Sequence, residues 1–172
     1  MNRVGEFEKV SFEQFYAAMK DEFGEENANV MAKAIYDDIP LPSRATTGSA
    51  GYDFKAPFAF ALEPGETIKI PTGIRVRIES GWWLGCLPRS GLGFKYRLQL
   101  NNTMGVIDSD YYYSDNEGHI FAKVTNDSKE GKAINVNRGD GFIQAIFHME
   151  LHTPIMQMAS ETVVWVRQES KR

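Results

Sequence analysis

A mainly β domain with an N-terminal α-helical extension is the fold class this sequence predicts. From Ile39 onward, short apolar or alternating runs recur at intervals of about 8–20 residues between clusters of Gly, Pro, Asn and Asp. Before that point the apolar residues fall at helical spacing instead. The 172 residues carry 42% hydrophobic and 12% aromatic side chains and no low-complexity tract, which suits one domain with a sizeable core.

The helical part is read first. Ser11-Phe-Glu-Gln14 has the Ser-x-x-Gln form of a capping box, and Phe12, Phe15, Met19 and Phe23 follow it at helical intervals until Gly24. Val30, Met31, Ala34 and Ile35 form a second stripe, so a helical hairpin is expected over 11–36. That stripe serves either to pack on the core or a neighbouring subunit, or as an arm for a protein partner. The domain division follows the change of texture: residues 1–38 as the extension, 39–172 as the β domain.

The β part is read from "TIKIPTGIRVRI", "WWLGCLP", "YRLQLNN", "HIFAKVTND", "AINVN" and "FIQAIFHMEL", the texture of an all-β sandwich or barrel. Ile74, Val76 and Ile78 alternate with Arg75 and Arg77, which predicts a strand with one wet face.

Charge and cysteine content exclude several classes. Residues 1–38 hold nine acids and four bases, and the remainder 14 acids and 15 bases, so neither part offers the clustered Lys and Arg of a nucleic-acid-binding surface. The single cysteine, Cys86, has no partner for a disulfide within the chain and reads as a small buried apolar residue. No apolar run reaches the roughly 18 residues of a membrane span, and "MNRVGEFEKVSFEQF" lacks a signal-peptide core. A cytoplasmic protein without membrane association is expected.

Four segments are small and polar where a β protein should be plain: "SAGYDF" (49–54), "PRSGLGF" (88–94), "NNTMGVIDSDYYY" (101–113) and "RGDGFIQAIF" (138–147). Each alone is weak, since an Asp in a hairpin is most often a turn former. In order and combination they resemble the first four signature motifs of the trimeric dUTP pyrophosphatase (dUTPase) family, bacterial or phage type. The resemblance runs from about Ile39 to Leu151, and "GVIDSDY" is its most specific part.

The resemblance implies a distorted jelly-roll-like β-barrel or sandwich, and hydrolysis of dUTP to dUMP and pyrophosphate. By position, Asp108 matches the water-activating aspartate; a carboxylate there can orient a water and take its proton. Tyr111 matches the tyrosine whose ring lies against the deoxyribose and leaves no room for a 2′-hydroxyl; the alternative is a cross-strand packing aromatic. "LQLNNTMG" is similar to the uracil-binding hairpin, with Asn102 three residues before Gly105 at the matching position. There a cytosine would leave polar groups unpaired, a stronger filter than lost contact area. Ser90 and Gly91 match the triphosphate-holding turn, and Gln144 the fourth-motif glutamine at the phosphates and their metal-bound waters. Arg89 either contacts phosphate or holds the motif together. Asp53 has a structural or metal-water role. Mg²⁺ is implied by the triphosphate, with no direct protein ligands, because it binds phosphate oxygens while keeping several waters. A homotrimer with active sites shared between subunits is also implied.

The departures from the family pattern are specific. Gly141 and Phe142 stand where many members carry Arg. "YYSDNEGHI" replaces a short Gly-Glu turn, leaving Tyr112 and Tyr113 without a role. The glycine-rich fifth motif is missing from "VWVRQESKR", either naturally or because the chain was cut before it; Arg167 or Arg172 would be its stub. Asp110 reads as a turn residue, and Val106-Ile107 as the hairpin's anchor in the core. Two other functions stay open: a dUTP-sensing module that controls a partner through the N-terminal helices, and a dCTP deaminase, against which stands the lack of any glutamate between Leu98 and Asn116.

Overall fold

The structure is a computed structural model that describes residues 3–150. Arg167, Arg172 and the question of the fifth motif lie outside the described residues. A strand precedes the helices: β1 (Gly5–Lys9) pairs antiparallel with β6 (Ile74–Ile78), setting Glu6 opposite Arg77 and Glu8 opposite Arg75. Both pairs close to 2.9 Å. The wet face of β6 is thus matched by carboxylates from a segment too polar to announce itself as a strand.

Helix α1 (Phe12–Phe23) starts at Ser11, whose Oγ accepts the Gln14 N–H at 3.1 Å. The other half of the capping box is not made by Gln14. Instead the Ser11 N–H donates to Glu117 Oε2 at 2.7 Å and its hydroxyl to Glu117 Oε1 at 2.6 Å. These bonds hold the Glu117 carboxyl below its usual range, and a negative charge at a helix N-terminus is favourable. Gly24 ends α1, and α2 (Glu25–Asp38) folds back on it.

Phe15 and Met19 of α1 and Ala28, Ala32 and Ile35 of α2 are buried in one cluster with the strand residues Phe54, Ile70, Ile74, Leu84 and Ile143. The hydrophobic core therefore runs across the 38/39 division. Val30 remains 78% exposed and Met31 41%, so the second stripe only partly faces inward.

The six apolar runs all form strands, among those that follow in the order β2 (Ser43–Arg44), β3 (Tyr52–Lys55), β4 (Phe60–Leu62), β5 (Thr67–Pro71), β6, β7 (Trp82–Pro88), β8 (Leu98–Leu100), β9 (Gly105–Ile107), β10 (Phe121–Asn126), β11 (Ile134–Val136) and β12 (Gly141–Met149). The sheets are β2-β3-β12-β7-β9, β5-β10-β8, β1-β6 and β11-β4, all antiparallel. Two features depart from the sequence reading. The "PRSGLGF" turn continues into a helix, α3 (Ser90–Tyr96), because Leu92 and Tyr96, four apart, both pack on the core. Val106 is 53% exposed rather than anchored: β9 is the edge strand of its sheet, and of the pair only Ile107 packs inward. No helix among the described residues is long and apolar enough to cross a membrane.

Candidate active site

Register places the first and fourth motifs side by side. Gln144 on β12 lies opposite Asp53 on β3 and opposite Leu87 on β7, so these three side chains share one face of the sheet. Asp53 is nearly buried, and Arg89, just past the end of β7, pairs with its Oδ1 at 3.2 Å. A bulge between Gly141 and Ile143 brings the Gly141 carbonyl to 3.4 Å from Arg89 Nη1, which donates to it. A Cβ at position 141 would sit 2.8 Å from Nη1 and 3.0 Å from Arg89 Cδ. The absence of a side chain at Gly141 thus leaves the space that the Arg89 side chain occupies as it reaches Asp53. The Gln144 amide donates to the Pro88 carbonyl at 3.3 Å. Ser90 and Gly91 follow at once, both exposed on the first turn of α3, beside a cleft of about 290 Å³ lined by Arg89, Gly91, Asn135, Asp140 and Gly141.

The third motif forms a second group. The chain leaves β8, turns through Asn101 to Met104 with Thr103 at φ 67°, and enters β9. Gly105 pairs with Cys86 on β7, and Cys86 with Ala145 on β12, so the hairpin's exit lies two strands, about 10 Å, from β12. Burial pushes the Cys86 thiol up to about 12, so it is an inert apolar contact at this seam. Asn102 is exposed. Asp108 caps a 3-10 turn, Ser109–Tyr113, with its backbone alone; its side chain is exposed and has no hydrogen-bond or ion-pair partner among the described residues. Asp110 stands on the same turn, also exposed.

Tyr111 is half-buried, and its hydroxyl is tied twice. Its hydroxyl donates to the His119 carbonyl at 2.9 Å and accepts from Asn116 Nδ2 at 2.9 Å. Tyr112 lies against the N-terminal strand pair, with its hydroxyl donating to Glu8 Oε2 at 2.9 Å and the Arg75 guanidinium 4.5 Å from its ring centre. Tyr113 is 78% exposed. Sequence reasoning passed over Glu117 because its partner, Ser11, is 106 residues away, and over Asn116 because its bonds to Tyr111, Ser114 and Gly118 depend on the winding of a loop that no periodicity signals.

The two groups, Asp53, Arg89, Ser90, Gly91 and Gln144 on one side and Asn102, Gly105, Asp108 and Tyr111 on the other, are joined by no hydrogen bond or ion pair among the described residues. Nor does any cluster of three or more His, Cys, Asp or Glu among them form a metal cage.

Comparison with known proteins gives the arrangement its family. The dUTPase family model matches residues 37–168. A deoxyuridine 5′-triphosphate nucleotidohydrolase of Hahella chejuensis is 38% identical over 137 residues, 78% of this chain and 82% of that protein. One from Actinobacillus succinogenes is 40% identical over 124 residues, 70% of this chain and 78% of that protein. Among solved structures, a dUTPase from Streptococcus mutans superposes with a TM-score of 0.62 at 30% identity, covering 86% of this chain and 97% of that one. A mutant of the dUTPase from phage phi11 of S. aureus shares the fold with the same TM-score at 19% identity, covering 92% of this chain and 98% of that one. The chain belongs to the dUTPase family of dUTP-hydrolysing enzymes.

Proposed function

We propose that this chain cleaves dUTP to dUMP and pyrophosphate by attack of water on the α-phosphorus, in a homotrimer whose active sites combine residues of different subunits. The observation that carries the reading is the unpartnered, exposed carboxylate of Asp108 directly after the strand that pins the hairpin to the sheet. Such a group is free to orient a water and take its proton. Most other acids near the motifs are engaged: Asp53 by Arg89, Glu117 by Ser11, Glu8 by Arg75 and Tyr112.

Asn102 and the main chain up to Gly105 bind uracil, with the side-chain amide supplying a donor and an acceptor in fixed geometry. The Tyr111 ring packs against the sugar. Ser90 and Gly91 offer a hydroxyl and unencumbered backbone N–H groups to phosphate oxygens. Arg89 first orders the motif through Asp53, and its remaining N–H donors face the phosphates.

Mg²⁺, when bound with the triphosphate, would be held mainly by phosphate oxygens and water, and the Gln144 amide and Asp53 carboxylate are the groups of this chain that would hold its waters. When bound, it neutralises triphosphate charge. The separation of the two residue groups within one chain supports the shared site, and exposed Val106 on the edge strand β9 is available for a subunit contact.

Pyrophosphate release from dUTP, beside UTP, dCTP and dTTP, tests the activity: release selective for dUTP is expected, and equal release from dCTP or none from dUTP contradicts it. Light scattering tests the assembly, with a mass near three chains expected and an active monomer contradicting it. A dUTP-controlled partner surface is the second reading. It is favoured by the apolar groove of Met19, Phe23, Met31 and Phe58 on the helical hairpin, and tested by nucleotide-dependent pull-down with α1 and α2 intact.

A further inference from the structure

The segment Ser114–His119, which stands in place of a short turn, does more than connect Tyr111 to β10. The Tyr111 hydroxyl has one proton, which goes to the His119 carbonyl, and its lone pair accepts from Asn116 Nδ2. The Asn116 amide is itself oriented: its Oδ1 accepts the Gly118 N–H at 3.1 Å and lies 2.7 Å from the Ser114 hydroxyl. Turning the amide over would set its NH₂ against that N–H, so Nδ2 must point at Tyr111.

The loop that holds Asn116 is tightly wound and fastened at both sides. Glu117 and Gly118 take φ of 59° and 71°, and a Cβ at Gly118 would lie 2.7 Å from the Tyr112 Cα, so only glycine fits there. Next to Asn116, Glu117 grips the start of α1 through Ser11. On the other side, Tyr112 is fixed to β1 and β6 by Glu8 and Arg75. The ring of Tyr111 is therefore located by its far end, by a loop that is itself tied to residues 8–11.

We propose that Asn116 is a positioning residue that sets discrimination between deoxyribose and ribose, by holding the Tyr111 ring through its hydroxyl where a 2′-hydroxyl would collide. The proposal rests on the assignment of Tyr111 to the sugar. It predicts that the phenol oxygen, and not the ring alone, matters for specificity: a ring pinned at one end by the backbone only can swing aside and admit a ribose.

The test measures kcat and KM for dUTP and UTP with the full chain and with Asn116→Ala, Tyr111→Phe, the double variant and Tyr111→Ala. Asn116→Ala is expected to lower the dUTP-to-UTP ratio of kcat/KM by about tenfold, the scale of one lost hydrogen bond, and Tyr111→Phe, which also loses the bond to the His119 carbonyl, by at least as much. The change is expected as a lower KM for UTP rather than a lower kcat for dUTP. Because both act through one bond, the double variant should fall no further than the larger single. Unchanged ratios in the two singles, with a reduced ratio in Tyr111→Ala, overturn the role of Asn116 and leave Tyr111 at the sugar. An unchanged ratio in Tyr111→Ala overturns both. Multiplying effects in the double variant also overturn the proposal, since they mean separate routes. Tyr111→Phe removes one atom and carries the test if Asn116→Ala does not fold.

Discussion

The two halves of the candidate site are prepared in opposite ways. Around Asp53, Arg89 and Gln144 every charged or amide group is already committed within the chain: a salt bridge at 3.2 Å, a contact to the Gly141 carbonyl, a bond to the Pro88 carbonyl. Around Asn102 and Asp108 the side chains are exposed, and the Asp108 carboxylate has no partner. The difference suits the roles proposed for each half. Residues that meet a polyanion benefit from fixed orientation, since preorganised dipoles need no rearrangement when charge arrives. A carboxylate that must take a proton from water loses that capacity when it is already bonded to a cation. Tyr111 lies between the two regimes, with its ring half-exposed and its hydroxyl fixed.

The comparison breaks most severely at Asp108. Asp108→Asn keeps the shape and removes the base, so kcat for dUTP should fall by about 10³-fold, within the range of general-base catalysis, while nucleotide affinity stays within about tenfold. Steady-state kinetics with equilibrium binding separates the two. Near-normal turnover would move the base elsewhere.

The next largest effect concerns the scaffold under Tyr111. His119 is fully buried against Phe15 and Phe121, and its Nε2 accepts the Gly73 N–H at 2.9 Å. Burial lowers its pKa from 6.5 to about 4. The unfolded chain therefore binds the proton first as pH falls, and the contribution to stability is present above about pH 6.5 and lost on the way down to 4. The loss amounts to about 3 kcal/mol at the lower limit. Urea unfolding at pH 7 and 4.5 should show a smaller pH dependence in His119→Gln than in the parent; equal slopes would mean that His119 titrates normally.

The mildest break is at the ordered half. Gly141→Ala sets a methyl 2.8 Å from Arg89 Nη1, and the flexible guanidinium can shift to relieve it. A several-fold rise in KM for dUTP, on the order of 1 kcal/mol, is expected with kcat little changed. An unchanged KM would show that the placement of Arg89 is not what the phosphates sense.

Much of this was legible in the sequence, and what was not has a common cause. Short apolar or alternating runs announced β5, β6, β7, β10, β11 and β12, with buried and more exposed residues alternating along β6, β10 and β11, and Ser11 announced the start of α1 because its cap is made three residues away. The four polar segments supply the residues of both halves of the candidate site, because motif spacing is local. By contrast, β1 is recognisable only against the arginines of β6, about 70 residues on, and the second half of the Ser11 cap comes from Glu117, 106 residues distant. Gly141 and Phe142 read as positions where an arginine contact is absent or supplied elsewhere; the fold shows Gly141 as clearance for Arg89, which no one-dimensional spacing could indicate. Val106 failed as an anchor for the same reason, since edge position is a property of the sheet.

The proposed reaction turns on Asp108 directing water to the α-phosphorus. Hydrolysis of dUTP in ¹⁸O-labelled water, followed by mass spectrometry of both products, tests this most directly. The label is predicted in dUMP, with the rate of its appearance collapsing in Asp108→Asn. Label in pyrophosphate would place the attack on the β-phosphorus, and labelled dUMP formed at an undiminished rate by Asp108→Asn would remove Asp108 from the reaction.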